Sequence, residues 1–291
     1  MNIANETSCG CKGVRFCAIC LHTDRVLQLN FDKSYVDLST FQHFLVSNIN
    51  SEQRWFPIPA KQNYTRGELE ILCKSCRTNE KLIKECVEPL SQKLILVEKF
   101  ISFEEESYLL SKIDNYPWIL SQSGRRKQDF GPRVNFKHKK VKIGHYVGMP
   151  KYAEPLLSKM QNIDGLEEYI PFELCNLEYE FERGSCIEFH TDDTWIWGER
   201  LITINLIEGS VMTLINEKDK IIVYVPMPHR SLLCMAGNMR YEWKHSVSKD
   251  HVFGRRIALT MREPSTNFKS GDLYEKWGKV LIERGKTFIE V

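Results

Sequence analysis

A chain of 291 residues with 42% hydrophobic content is long enough for one large domain with a small appendage, and apolar enough to exclude disorder as its main state. Its 40 Lys and Arg against 38 Asp and Glu give a formal charge of +2, so a polyanion or an acidic membrane has to be met by a local patch rather than by the whole molecule. The polar opening MNIANETSCGCKG and the lack of any long uncharged apolar run predict an intracellular protein, cytoplasmic and/or nuclear, with no membrane partner. In that compartment the 10 cysteines are expected as thiols or metal ligands, and the sequons at Asn5 and Asn63 are matches of composition alone.

Residues 1–24 form a cysteine-rich segment. Cys9, Cys11, Cys17 and Cys20 include a CxxC turn, which brings two thiolates to one ion at little cost in chain entropy; zinc accepts four such ligands at tetrahedral corners. Cys73 and Cys76 form a second CxxC pair, and His22 is a further candidate, so which four ligands are used stays open at this point. Residues 25–90 read as a connector of unknown role, with Trp55-Phe56-Pro57-Ile58-Pro59 as a turn-rich interruption and a helix opening near Arg66.

From 91 to 291 the pattern is that of a β-rich domain. Leu94 to Val97 predicts a buried strand, and Ser102 with Glu105 predicts a capping box opening a helix that turns Tyr108, Leu109 and Ile113 to one face. From Ser123 to Lys142 there are eight Lys or Arg and one carboxylate, with Phe130 and Phe136 interleaved, in a stretch expected to be a loop or ribbon. Such a segment is either a grip for a polyanion or a solvated charged hairpin. Short strands then follow at Cys186–Phe189, Leu201–Ile207, Ser210–Ile215, Ile221–Val225 and Ser231–Met235, a spacing that suits an antiparallel jelly roll with flanking helices. Asp272 to Arg284 predicts an amphipathic helix halted at Gly285.

The tripeptide His-Thr-Asp occurs at residue 22 and again at residue 190. On a strand, residues i and i+2 share a face, so His190 and Asp192 would present an imidazole and a carboxylate to one point, and a second histidine from a neighbouring strand, His245, would complete three corners of an octahedron. The three remaining positions suit a bidentate cosubstrate and dioxygen, as in non-heme iron(II) oxygenases. Only the second copy sits among strand patterns. Farther on, Arg256, Ala258, Thr260 and Arg262 alternate with Ile257, Leu259 and Met261. Two guanidiniums on one sheet face call for carboxylates to occupy the space, which a dicarboxylate would supply.

His-x-Asp, a distant His, and Arg with a second Arg six positions on, together with SQSGRRKQDFGP, CNLEYEFERGS, HTDDTWIWGERL and WKHSV, resemble the AlkB family of Fe(II)- and 2-oxoglutarate-dependent dioxygenases. With CGCKG and CAIC the likeness narrows to its homologue-four branch, and it covers about 91–264 and the cysteine cluster. The resemblance implies a double-stranded β-helix and Fe(II), 2-oxoglutarate and dioxygen as cofactors. It implies His190, Asp192 and His245 as iron ligands, with Arg256, Arg262, Tyr179 and Asn176 holding the cosubstrate. Arg125, Arg126 and Lys127 fall in the substrate lid. The reaction implied is oxidative N-demethylation, of monomethyl-lysine in a protein such as actin or, next, of N6-methyladenine in nucleic acid. Trp195 is one aromatic face that could hold a methylammonium. The rival readings are a nucleic-acid or protein binding module with an inert jelly roll, and a cupin-like enzyme that does not use 2-oxoglutarate.

Overall fold

The computed structural model describes residues 8–29, 36–49, 52–88 and 93–291; the sequon at Asn5 lies outside them. In chain order, the hairpin β1 (Gln42–Ile49) and β2 (Glu52–Ile58) precedes β3 (Leu94–Val97), β4 (Ile119–Leu120) and β5 (Arg126–Phe130). A two-stranded ribbon, β6 (Arg133–Asn135) and β7 (Lys140–Lys142), leads to the short β8 (Met149–Pro150). The central strands are β9 (Glu173–Glu180), β10 (Ile187–His190), β11 (Trp197–Leu206), β12 (Ser210–Asn216), β13 (Ile221–Met227), β14 (Leu232–Met235), β15 (Lys244–Val247) and β16 (Arg255–Pro264), and β17 (Phe288–Ile289) pairs with β8.

Two sheets result, ordered β10-β15-β12-β13-β1-β2 and β3-β14-β11-β16-β9-β5-β4, and their apolar faces meet in one core in which Ile204, Leu214, Val223, Leu232 and Leu259 have no exposed surface. This is the two-layer, mainly β arrangement that the strand spacing predicts. Each of the expected strands forms, within one or two residues of its expected ends except that β11 begins four residues earlier, at Trp197.

Several expectations change. The stretch 25–90 does not merely connect: β1 lies parallel to β13, so the hairpin extends the smaller sheet, and Trp55 and Phe56 are fully buried in β2 rather than standing in a turn. Pro57 is tolerated there because β2 is an edge strand, where a missing N–H costs no ladder bond. The helix Arg66–Thr78, capped by Thr65 and Glu68, packs on β1 and covers a second apolar cluster around Phe56, Leu69 and Ile215. The capping box at Ser102 and Glu105 forms with backbone bonds of 3.1 and 2.7 Å and opens the helix Phe103–Asn115, but Tyr108 stays exposed while Leu109 and Ile113 are buried. The terminal helix is wound as a π turn over Tyr274–Gly278, where a side chain at 278 would strike the Phe268 carbonyl. Among the described residues no helix is long and apolar enough to cross a membrane.

Candidate active site and metal centres

The site is made by register. His190 on β10 and His245 on β15 are directly paired across an antiparallel ladder, which brings their ring centroids to 4.2 Å. Asp192 lies beyond the end of β10, so strand alternation alone does not orient it. Its Oδ2 accepts from Arg262 Nε at 2.7 Å, its Oδ1 is 3.4 Å from His190 Nε2, and buried Arg240 donates to its backbone carbonyl at 2.9 Å. One ligand atom from each of His190, Asp192 and His245 lies within 4.8 Å of the others, a separation that fits one bound metal ion.

Electrostatics favour ligand-ready protonation states. Burial raises the Asp192 carboxyl, yet Arg262 and the contact with His190 outweigh it and hold the group well below the usual carboxylate range. Burial, with the neighbouring His190, pushes the His245 imidazole down to about 3, so it is neutral and free to donate a lone pair at physiological pH. His190 Nδ1 meets the Glu188 carbonyl at 2.8 Å, which leaves Nε2 facing Asp192.

β16 behaves as its alternation predicts. Ile257, Leu259 and Met261 have no exposure in the core, while Arg256, Ala258, Thr260 and Arg262 line the cavity that holds the His–Asp–His cluster. The two arginines differ, however. Arg262 is already paired with protein carboxylates, Asp192 on one side and Glu173 Oε1 at 3.4 Å on the other. Arg256 is 1% exposed, bonds Asn205 through Nε, and faces the Tyr179 ring at 4.8 Å, but its Nη1 is buried without a partner among the described residues. Burial lowers its pKa. An uncompensated buried guanidinium is costly unless an anion completes it, so of the two arginines Arg256 is the one suited to take the carboxylate predicted for the strand.

Asn176 is not brought to this cavity. Tyr179 and Leu177 line it, so Asn176 falls on the opposite face of β9, where its amide donates to Gln128 and to the Tyr152 hydroxyl at 2.8 Å each. The expected lid also divides. Arg126 sits in a strand of the larger sheet, locked to buried Glu178, and Glu178 also takes Arg255 at 2.8 Å, so Arg126 serves structure. Arg125 stacks over Tyr179 at 5.7 Å, at the Arg256 end of the site. Lys127 borders a separate groove and is paired with Asp129 at 2.6 Å. Trp195 packs edge-on against Phe268 and Trp277 and lines neither space, whereas Trp197 borders the groove.

Two residues that no motif singled out complete the site. Asn205, buried among Leu and Ile on β11, anchors Arg256, and an isolated Asn in so apolar a strand is a signal that could have been read. Glu173, at the start of β9, has its Oε2 buried without a partner among the described residues, and burial raises its carboxyl to about 7 despite Arg262.

A second cluster lies at the amino terminus. The sulfurs of Cys9, Cys11, Cys17 and Cys20 all fall within 4.8 Å of one another, and Cys17 and Cys20 are 3.9 Å apart. Four sulfurs at about 2.3 Å from a tetrahedral zinc stand roughly 3.8 Å apart, so the set could hold a structural ion. Cys73, Cys76 and His22 are not in the group; Cys73 and Cys76 pack in the second apolar cluster and His22 is exposed. Arg25 donates to Cys20 Sγ at 3.3 Å and to the carbonyls of Gly13 and Arg15, which ties the cysteine loop together. The loop docks where Gly124, at φ +74°, passes close to Cys17; a Cβ there would lie 2.6 Å from the Arg183 carbonyl.

No family model matches the chain. It is 49% identical over 290 residues to the DNA N6-methyl adenine demethylase of Caenorhabditis elegans, covering 96% of this chain and 95% of that protein. It is 32% identical over 316 residues to the alpha-ketoglutarate-dependent dioxygenase alkB homolog 4 of Homo sapiens, covering 96% and 94%. Among solved structures, a 2OG-Fe(II) oxygenase family oxidoreductase from Burkholderia pseudomallei aligns with a TM-score of 0.42 and 9% identity over 60% of this chain and 87% of that one. Relatives at these identities, matched over nearly their whole length, on a fold that gathers two histidines, a carboxylate and a buried arginine, mean that the chain belongs to the AlkB family of Fe(II)- and 2-oxoglutarate-dependent dioxygenases.

Proposed function

We propose that this enzyme removes N-methyl groups oxidatively from N6-methyladenine in nucleic acid, with iron held by His190, Asp192 and His245. The observation that carries the reading is the convergence of those three ligand atoms in a cavity shared with a buried arginine whose Nη1 has no partner among the described residues. Arg256 would bind the distal carboxylate of 2-oxoglutarate, with Tyr179 walling the chain and Asn205 fixing the guanidinium. Arg262 has a different task from the one its spacing suggests: it aims Asp192 rather than gripping the cosubstrate. Bound Fe(II), with 2-oxoglutarate and dioxygen, supplies the oxidation that hydroxylates the methyl carbon, which then leaves as formaldehyde. The protein's part is to hold the substrate carbon near the metal and keep water out.

Adenine is supported by the 49% identical relative, itself named as a DNA N6-methyl adenine demethylase, and by the ribbon β6–β7, whose Arg133 lines an aromatic groove and whose Lys140 and Lys142 are exposed. Monomethyl-lysine in a protein such as actin is the second reading. The aromatic walls of that groove favour it, since an ammonium is attracted to ring faces. Cys9, Cys11, Cys17 and Cys20 are assigned to a structural zinc. An inert binding module would have no use for a buried arginine awaiting a carboxylate.

The test is to incubate the iron-loaded protein with 2-oxoglutarate and either an N6-methyladenine oligonucleotide or a monomethyl-lysine peptide, and to follow formaldehyde and succinate. Formaldehyde from the oligonucleotide supports the first reading, and formaldehyde from the peptide alone overturns it in favour of the second.

A further inference from the structure

We propose that Glu173 is the specificity-determining residue for the substrate: its free carboxyl oxygen accepts the N–H of the methylated exocyclic nitrogen of an adenine seated in the aromatic groove. The inference rests on the adenine reading above and names the group that would enforce it.

Glu173 stands opposite Arg262 in the β9–β16 ladder, and the Arg262 guanidinium reaches Glu173 with Nη1 and Asp192 with Nε. The carboxyl is therefore fixed against the same cation that fixes a metal ligand, and Glu173 also lines the groove. Oε1 takes that contact, and Oε2 is buried with no partner among the described residues. A buried acceptor without a donor is costly, and a ligand that brings one relieves the cost. The groove in front of it has a volume of about 680 Å³ and is bounded by Phe130, Phe136, Tyr146 and Trp197, wide enough for a flipped base with ring faces to stack on. Gly131 keeps the approach open, because a Cβ at that position would lie 3.0 Å from Glu173 Cγ.

The charges around the groove favour a neutral donor over a methylammonium. The carboxylate of Glu173 is offset by Arg262 and that of Asp129 by Lys127 at 2.6 Å, while Arg133 on the same rim adds positive charge. A cation would find no uncompensated anion there. A base tethered to phosphates would find an acceptor for its N–H and a basic ribbon for its backbone.

N6-methyladenine carries that N–H and N6,N6-dimethyladenine does not, so the pair of oligonucleotides reads the contact directly. Wild type is expected to prefer the monomethyl substrate in kcat/KM by about tenfold or more, since a site built to accept a hydrogen bond rejects the analogue lacking it. Glu173→Gln, which keeps an acceptor, should retain most of that preference. Glu173→Met, close in size and without an acceptor, should abolish it and raise KM for the monomethyl substrate by about tenfold. Oligonucleotide affinity by fluorescence anisotropy should follow KM, and thermal midpoints report whether each variant is folded. A wild type that treats the two substrates alike overturns the proposal without recourse to any variant. If wild type demethylates N6-methyladenine and a folded Glu173→Met keeps the preference, the assignment to Glu173 fails while the adenine reading stands. Turnover of a monomethyl-lysine peptide alone, with loss in Glu173→Gln as large as in Glu173→Met, overturns both, since only a cation needs the charge.

Discussion

The His–Asp–His cluster draws its atoms from positions 190 to 245, on two paired strands and the loop that follows one of them, whereas the cysteine cluster takes all four sulfurs from positions 9 to 20, on turns. The first is positioned by sheet register and depends on the whole fold. The second is positioned by local chain geometry and by one arginine, Arg25. In the first the rigid sheet holds polar groups whose partners are incomplete, as at Arg256 Nη1, which is how a site stays prepared for a ligand. In the second the four thiols would complete one another around a bound ion. A catalytic centre and a structural centre should therefore fail differently when damaged.

The sharpest way to break that contrast is Asp192→Ala. It removes a ligand and leaves Arg262 with Glu173 alone, so 2-oxoglutarate turnover to succinate is expected to fall by about two orders of magnitude or more. Zinc content measured on the same sample should not change. Loss of both metals would mean that the cysteine loop depends on the centre rather than merely on the scaffold.

Arg256→Met comes next. Removing the bidentate partner of a buried carboxylate should raise the 2-oxoglutarate concentration needed for half-maximal succinate production by about a hundredfold, from a buried charge-assisted contact of roughly 3 kcal/mol. The thermal midpoint without cosubstrate should stay level or rise, because the variant also removes a buried charge that the protein leaves partly unsatisfied. A falling midpoint with unchanged cosubstrate affinity would assign Arg256 to structure.

The contrast also explains what could be read in advance. The two faces of β16 follow from the period of two along a strand, which sequence displays directly, whereas the three ligands meet through cross-strand register and through the arginines that hold Asp192 beyond the end of β10. Asn176 failed for the same reason: the family motif is Asn-x-Tyr, the spacing here is Asn-x-x-Tyr, and one extra residue flips a side chain through the sheet. β2 was hidden because Pro57 reads as a breaker until its place at a sheet edge is known, and the parallel pairing of β1 with β13 joins segments too distant for any local pattern to reveal. Glu173 escaped because it sits in no motif; its significance is an unpartnered oxygen, which only packing can show. For zinc, CxxC spacing identified Cys17 and Cys20, and geometry then chose Cys9 and Cys11 over Cys73, Cys76 and His22.

Replacing Cys17 and Cys20 with Ser should release the amino-terminal ion, seen by metal analysis, while the iron centre still binds 2-oxoglutarate. The cysteine loop packs on the turns around Gly124 and Arg183, so losing that contact should lower the thermal midpoint by about 5 °C, from about 2 kcal/mol at roughly 2–4 °C per kcal/mol. A variant that keeps its midpoint would mean the loop is an ornament on the sheet.

The smallest effect probes the ion pair that links the two regions among the described residues. Arg15, in the cysteine loop, bonds Glu188, two residues before His190 on β10. Both side chains are partly in water, at 31% and 46% exposure, so the pair should contribute no more than about 1 kcal/mol and less at high salt. His190 is oriented by the Glu188 backbone carbonyl, which a change of either side chain leaves in place. Arg15→Ala, Glu188→Ala and the double variant should therefore give a coupling near 0.5 kcal/mol in thermal unfolding and no change in 2-oxoglutarate affinity. A coupling several times larger, or a cosubstrate affinity that moves with Arg15, would mean that the cysteine loop sets the position of His190, and the two centres would then have to be treated as one.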